Sequence, residues 1–452
     1  MKTSSIKING KTPLKGKIKA SGAKNSITKL LVASLLSDKK SIFYNVPNIL
    51  EVDITLQLCK EIGMEYLWDK DKKVIEVKTK HIKTSSISQR FSGANRIPIL
   101  ILGALISRVK NKITVPIVGG DKLGKRPVDF HINSLKLLGA DIEYNEYAKT
   151  YSAQAKNGLI GTLIKLPYPS VGATENSILA AVKAKGTTII KNAAIEPEII
   201  DFIRFLKKIG VQIVIRNRTI YIEETKNFFE AEHSVLSDRN EVASYALAAI
   251  CTKGRIFIEK AEHIQMKAFL NALKKTKGGY EIKKNGIEFF YTGQLEGNIL
   301  LETDVHPGFM TDWQPLFGAL LTQCKGSSII HETVYEKRFE YIKMLKEMGA
   351  NIELSTKCLG KNCRFDKKNH YHSAIIKGST PLLGKNISIP DLRAGFAYIM
   401  AALIAEGESN ISQLHFLERG YENIIQKLSS LGARIQKNTD LIKKTYTYSN
   451  IK

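Results

Sequence analysis

The hydrophobic and polar positions of this chain repeat in a fixed order. Apolar residues recur at helical spacing over 24–37 and 51–62, and 41–45, 64–67 and 73–78 are short runs of strand type. Further along, a helix tail runs into glycine and then a strand: "LCKEIGMEYL", "LKLLGADIEY", "LKKIGVQIVI", "LKEMGANIEL" and "LSSLGARIQK". A worn copy, "LKKTKGGYEI", lies between the third and fourth of these. A second signature precedes each copy: a helix end, a tight basic or glycine turn, and a β-rich run. Its copies are "SDKKSIFYNV", "VKNKITVPIV", "AKGTTIIKNA", "TKGRIFIEKA", "CKGSSIIHET" and "AEGESNISQL". Six copies at a period of roughly 70 residues are too long for solenoid repeats and too short for whole domains. Each unit reads as βαβαββ. Three units make a domain of sensible size, so the pattern predicts two pseudo-symmetric α/β domains.

The openings of the first helix in each unit carry the candidate chemistry. They are "SGAKNSITKLL", "RIPILILGAL", "SVGATENSILAA", "SDRNEVASYALAA", "TDWQPLFGALL" and "PDLRAGFAYIMAA". Equivalent positions hold Lys24 with Asn25, Arg96, Ser170 with Glu175, Arg239, Asp312 and Arg393. Helix N-termini present unpaired N–H groups and the positive end of the dipole, which suits phosphate or carboxylate. Ordinary capping accounts for Ser170, Asp238 and Asp391. It does not call for Lys24, Arg96, Arg126, Arg239 and Arg393. If the three helices of a domain are related by symmetry, their N-termini converge on one point.

Composition narrows the function classes. The 452 residues exceed a single ordinary core. The longest apolar runs, "IPILILGALI" and "FAYIMAALIA", fall short of the ~20 residues that span a bilayer. The N-terminus "MKTSSIKING" lacks the apolar stretch of a signal peptide, and five scattered cysteines do not resemble a disulfide framework. A cytoplasmic location without membrane insertion is expected. The formal charge is +25, but the lysines are spread along the chain without interleaved aromatics. No nucleic-acid-binding spacing is visible, so nucleic acid is not the expected partner.

Those helix openings, read with "GGDKLGKRPVDFH", "NAAIEPEIID", "HPGFMTD" and "HETVYEKRFEYIKML", resemble the UDP-N-acetylglucosamine 1-carboxyvinyltransferase family of enolpyruvyl transferases. The resemblance runs from about residue 6 to about residue 436. It implies an inverse α/β barrel in two domains, 23–236 and 1–22 plus 237–436, with a catalytic lid loop at 118–127 and a polar tail at 437–452. The implied reaction moves the enolpyruvyl group of phosphoenolpyruvate to the 3-hydroxyl of UDP-N-acetylglucosamine, with no metal or organic cofactor. An enolpyruvylshikimate-phosphate synthase-like enzyme, or a non-catalytic anion- or nucleic-acid-binding paralogue, is the alternative.

By the same resemblance, Lys24 and Asn25 contact phosphoenolpyruvate, and Arg126, Arg393 and Arg419 clamp phosphate and carboxylate. Asp312 stands at the sugar hydroxyl. Arg96, Pro127, Val128, Asp129, Phe130, Ser170, Val171 and Val334 line the nucleotide-sugar, and Glu196 and Glu198 lie near the domain boundary. Four departures stand out. Ile97-Pro98 follows Arg96 where Ala-Ser is usual, which weakens the expected helix start. Tyr168 replaces a common lysine, and Met310 a common proline. The largest departure is Asp121, which stands where most of the family carries cysteine. The lid then bears an acid, with Lys122, Lys125 and Arg126 available to an anion and Gly119 and Gly120 able to bend. On this reading Asp121 donates a proton to the methylene carbon and Asp312 accepts that of the hydroxyl.

One further group remains. "CLGKNCRFDKKNHYH" holds Cys358, Cys363, His370 and His372, but its spacing is atypical for zinc, so a loop insertion with incidental thiols is expected. His331 and Glu332 resemble a metalloprotease fragment only superficially, since "HETVYE" lacks a second histidine.

Overall fold

Six largely buried helices organise the molecule. They are α1 (Lys24–Ala33), α2 (Ile97–Leu105), α3 (Val171–Ala181), α4 (Arg239–Cys251), α5 (Gln314–Leu321) and α6 (Leu392–Ile404). Every residue of α2, α4, α5 and α6 is buried. A helix that is apolar all round belongs inside a core rather than on its surface. The computed structural model describes residues 5–120, 124 and 126–438. The chain divides into two units, one built from its start through Ser21 together with Ser237 onward, the other from Gly22–Gly120 and Arg126–Leu236.

In the unit that holds α1, α2 and α3, these helices pack together inside three sheets. The first sheet shows the rule. Ser41–Tyr44 pairs in parallel with Ala231–Ser234 and antiparallel with Val74–Lys78, which in turn pairs with Glu65–Asp69. Burial alternates along Val74–Lys78, with Ile75 and Val77 turned inward, as expected of a sheet covered on one face. The first-copy reading of helices and strands is met to within a few residues. The edge strand at 231–234, some 190 residues away in sequence, is not part of that reading.

The unit that holds α4, α5 and α6 follows the same order, and two of its sheets borrow strands from the N-terminus. Lys15–Lys19 pairs in parallel with Arg255–Glu259. Ser5–Asn9 inserts antiparallel between Glu408–Ser412 and Arg434–Asn438, with Ile6 opposite Ile411 and Ile8 opposite Ile435. Buried Glu241 of α4 fastens this entry, accepting from the Ser21 N–H at 2.7 Å and from Lys427.

The start of α2 corrects an expectation. Ile97-Pro98 does not weaken it: Pro98 falls in the first turn, where a backbone N–H has no helical partner to lose. The close crossing of α2 and α3 depends on Gly103, where a Cβ would stand 2.1 Å from Asn176 Oδ1. No described helix is long and apolar enough to cross a membrane.

Candidate active site

In the unit of α4, α5 and α6, the three helix N-termini do converge. Asp312 lies in the single turn Thr311–Trp313 that leads into α5. Its Oδ2 accepts from Arg393 Nε at 3.1 Å, and its Oδ1 faces Arg338 Nη2 at 3.4 Å. Both arginines are almost fully buried, whereas Asp312 is 19% exposed. Arg393 sits in the first turn of α6, whose opening N–H groups are capped by the Asp391 carboxylate at 2.8 and 3.0 Å. Burial works against the Arg393 charge, but the Asp312 carboxylate, with Tyr421 and Asp238, raises its pKa regardless. Asp238 caps α4, and the Arg239 guanidinium next to it lies 5.6 Å from the Trp313 ring.

A second ring of contacts fixes the turn that carries Asp312. Arg338 donates through Nε and Nη2 to the Thr311 carbonyl at 3.1 and 3.0 Å. Thr311 Oγ1 donates to Glu332 Oε2 at 2.9 Å. Glu332 Oε1 accepts from the backbone N–H of Val334 and Tyr335 at 2.8 and 3.0 Å. One buried carboxylate thus holds both the turn of Asp312 and the half-buried Val334 loop. Burial raises the Glu332 pKa, with Arg338 opposing the rise. Arg419, half-buried, follows the short helix His415–Glu418.

Glu332 and Arg338 were not singled out as site residues by sequence reasoning. The available signal was their place in "HETVYEKRFEY", a stretch read for Val334, with Glu332 weighed only as part of a metalloprotease-like fragment.

In the other unit, Lys24 and Asn25 are half-buried in the first turn of α1. Ala23, at the N-cap, has only a methyl side chain and makes no cap hydrogen bond, and a helix start without a side-chain cap suits an anion. Arg96 stands at the N-cap of α2 and donates to the carbonyls of Arg126 at 2.9 Å and Pro127 at 3.4 Å. Its bonds therefore position the backbone of the Arg126–Pro127 segment. Arg126 itself is half-buried, and its guanidinium lies so close to Gly120 that a Cβ there would stand 2.8 Å from Nη1.

Val128 is buried, Phe130 half-buried, and Pro127 and Asp129 exposed. His131 follows, packed against Gly172 at the start of α3. Burial, with the Arg96 charge adding, pushes its pKa down to about 3, so the ring is neutral. Ser170 caps α3 by accepting from Ala173 N at 3.4 Å, and Val171 and Tyr168 are half-buried nearby in sequence. Glu196 and Glu198 belong to a buried acid group with Glu175. Burial pushes Glu175 up to about 7, with Lys29 opposing and the other two acids adding. Asp121, Lys122 and Lys125 of the expected lid, and all but the first two residues of the expected tail, lie outside the described residues.

Comparison with known proteins places this geometry. Residues 8–428 match the family model for EPSP synthase, 3-phosphoshikimate 1-carboxyvinyltransferase. The UDP-N-acetylglucosamine 1-carboxyvinyltransferase of Protochlamydia amoebophila is 60% identical over 434 residues, 95% of this chain and 93% of that relative. The protein of the same name from Chlamydia abortus is 54% identical, over 93% and 95% of the two chains. Among solved structures, the enolpyruvyl transferase NikO from Streptomyces tendae superposes with a TM-score of 0.85 at 19% identity. That match covers 98% of this chain and all of NikO, a likeness of fold.

Proposed function

Because the chain belongs to the UDP-N-acetylglucosamine 1-carboxyvinyltransferase family of enolpyruvyl transferases, we propose that its own residues carry that family's reaction as follows. The chain is an enzyme of the transferase class. It moves the enolpyruvyl group of phosphoenolpyruvate to the 3-hydroxyl of UDP-N-acetylglucosamine and releases phosphate, the first committed step of peptidoglycan synthesis. The observation that carries the reading is Asp312, held between Arg393 and Arg338 where three helix N-termini meet.

Addition needs a proton delivered to the methylene carbon of phosphoenolpyruvate and one removed from the sugar hydroxyl. Asp121 delivers the first and Asp312 takes the second. Arg338 faces Asp312 Oδ1 and Arg393 donates to Oδ2, which fixes the carboxylate as the acceptor for the hydroxyl proton. The hydroxyl oxygen bonds to the carbon that bears phosphate, giving a tetrahedral ketal. Loss of a methyl proton from that ketal then expels phosphate and restores the double bond. Lys24, Arg126 and Arg419 hold the phosphate and carboxylate charges throughout. Fixed cations around developing charge supply the largest catalytic effect. Arg96, by gripping the Arg126–Pro127 carbonyls, sets where Arg126 stands.

The test is release of inorganic phosphate from phosphoenolpyruvate with each candidate acceptor. Release that requires UDP-N-acetylglucosamine supports the reading. Release that instead requires shikimate 3-phosphate, or no release with either acceptor, overturns it.

A further inference from the structure

The stretch between Asn351–Ser355 and Ser373–Gly378 is where sequence reasoning expected incidental thiols, and the fold changes that picture. Cys358 Sγ and Cys363 Sγ lie 3.6 Å apart, and Cys358 Sγ is 3.3 Å from His372 Nε2. A ring nitrogen of His331, on the neighbouring strand Gly326–His331, lies within 4.8 Å of both sulfurs. His331 and His372 are fully buried. His370, the other histidine of the stretch, gives only its carbonyl here, and its ring packs on Phe365 instead.

The geometry points to a site for a zinc-like divalent cation held by His331, Cys358 and Cys363, whose ligand atoms all lie within 4.8 Å of one another, with His372, 3.3 Å from Cys358, turning in as the fourth ligand. A zinc ion at bond lengths of about 2.3 Å to sulfur and about 2.0 Å to nitrogen sets two thiolates roughly 3.8 Å apart, and thiolate and imidazole roughly 3.5 Å apart. The two observed separations lie close to both values. His372 is already in the ligating tautomer: its Nδ1 can only donate to the His370 carbonyl, at 2.8 Å, which leaves the Nε2 lone pair facing Cys358. His331 contacts Lys361 O at 3.1 Å and Ser373 Oγ at 2.9 Å. Binding exchanges one of these contacts for the metal and keeps the other as the bond that orients the ring. Two thiol protons are released as the cation binds.

The site also has a structural consequence. His331 precedes Glu332, and Arg364 within the same stretch donates to the Val334 carbonyl. A metal there would anchor the loop of Val334. On the functional reading above, that loop faces the nucleotide-sugar.

The full-length protein, loaded with zinc and desalted, is expected to hold roughly one metal equivalent per chain, as a closed structural site does. Cys358→Ser, Cys363→Ser and His372→Gln should each lose it, while His370→Gln should keep it. Loss through misfolding is excluded by a second measurement on the wild-type chain. Cobalt in place of zinc should give the visible bands of a tetrahedral ion and a thiolate charge-transfer band. Cys358 and Cys363, the two cysteines that are not buried, should resist a thiol reagent until a chelator is added. Substoichiometric metal, retention unaffected by Cys358→Ser, octahedral cobalt, or a disulfide-linked Cys358–Cys363 peptide would each overturn the site. Metal bound as expected in a chain without transferase activity would fault the functional reading alone.

Discussion

Replacing Glu175 with glutamine removes a charge that burial makes costly, and the cost has a distinct pH signature. Burial of this carboxyl pushes it from 4.5 up to about 7. The folded chain therefore keeps the proton over a range in which the unfolded chain has lost it. Stability must then fall as the pH rises through that window. The interval is 7 minus 4.5, which at about 1.4 kcal/mol per pH unit is about 3 kcal/mol when complete. From about pH 5 to about pH 8 the loss is roughly 2 to 3 kcal/mol. Glutamine keeps the shape and cannot titrate. The stability of Glu175→Gln relative to wild type should thus grow by that amount over the same range. The chain has two tryptophans, Trp68 in the unit of Glu175 and Trp313 in the other. In a Trp313→Phe background, urea unfolding followed by fluorescence reports the relevant unit, which avoids treating two units as one transition. Parallel pH profiles for the two proteins, or a difference that shrinks with rising pH, would falsify the buried-carboxyl argument.

Asp312→Asn keeps the shape but removes the proton acceptor, so kcat should fall by roughly 100- to 10,000-fold while UDP-N-acetylglucosamine still binds by calorimetry; equal losses in both would make Asp312 a binding residue. Lys24→Ala removes a cation from the first turn of α1 and should cost roughly 100-fold or more in turnover with an unchanged circular dichroism spectrum. Near-normal turnover would put the anion elsewhere. Fosfomycin inactivates the resembled family by alkylating the lid cysteine, and a carboxylate is a poor nucleophile toward an epoxide. The wild-type chain should therefore resist time-dependent inactivation, and Asp121→Cys should stay active and become sensitive, as read by intact mass and residual turnover. A covalent adduct on the wild-type protein would refute the placement of Asp121 on the lid.

The repeat was legible along the chain because helix and strand periods are short-range. Apolar spacing in "SGAKNSITKLL" or "PDLRAGFAYIMAA" decides where a helix lies and which residue opens it. Lys24, Asp312 and Arg393 are therefore legible at helix starts from local pattern alone. Glycine after "LKLL" or "LKKI" likewise marks where a helix stops and a strand begins. Partners were a different matter, since they depend on which elements meet in three dimensions. Local patterning cannot say that Ala231–Ser234 pairs with Ser41–Tyr44, or that Ser5–Asn9 closes a sheet with Arg434–Asn438. Arg393 reaches Asp312 across 81 residues because buried helices pack with their N-termini together, and Arg338 reaches it across 26 from the turn Arg338–Tyr341. The bonds from the Arg96 guanidinium to the Arg126 and Pro127 carbonyls likewise depend on how the chain folds back. The same holds for the thiols. Sequence spacing grouped His370 with Cys358 and Cys363, whereas the strand pairing of His331 with Ser373 brings His331 to the sulfurs instead. Local periodicity sets the elements and their ends; the burial of apolar faces against one another sets which distant polar groups must share a site.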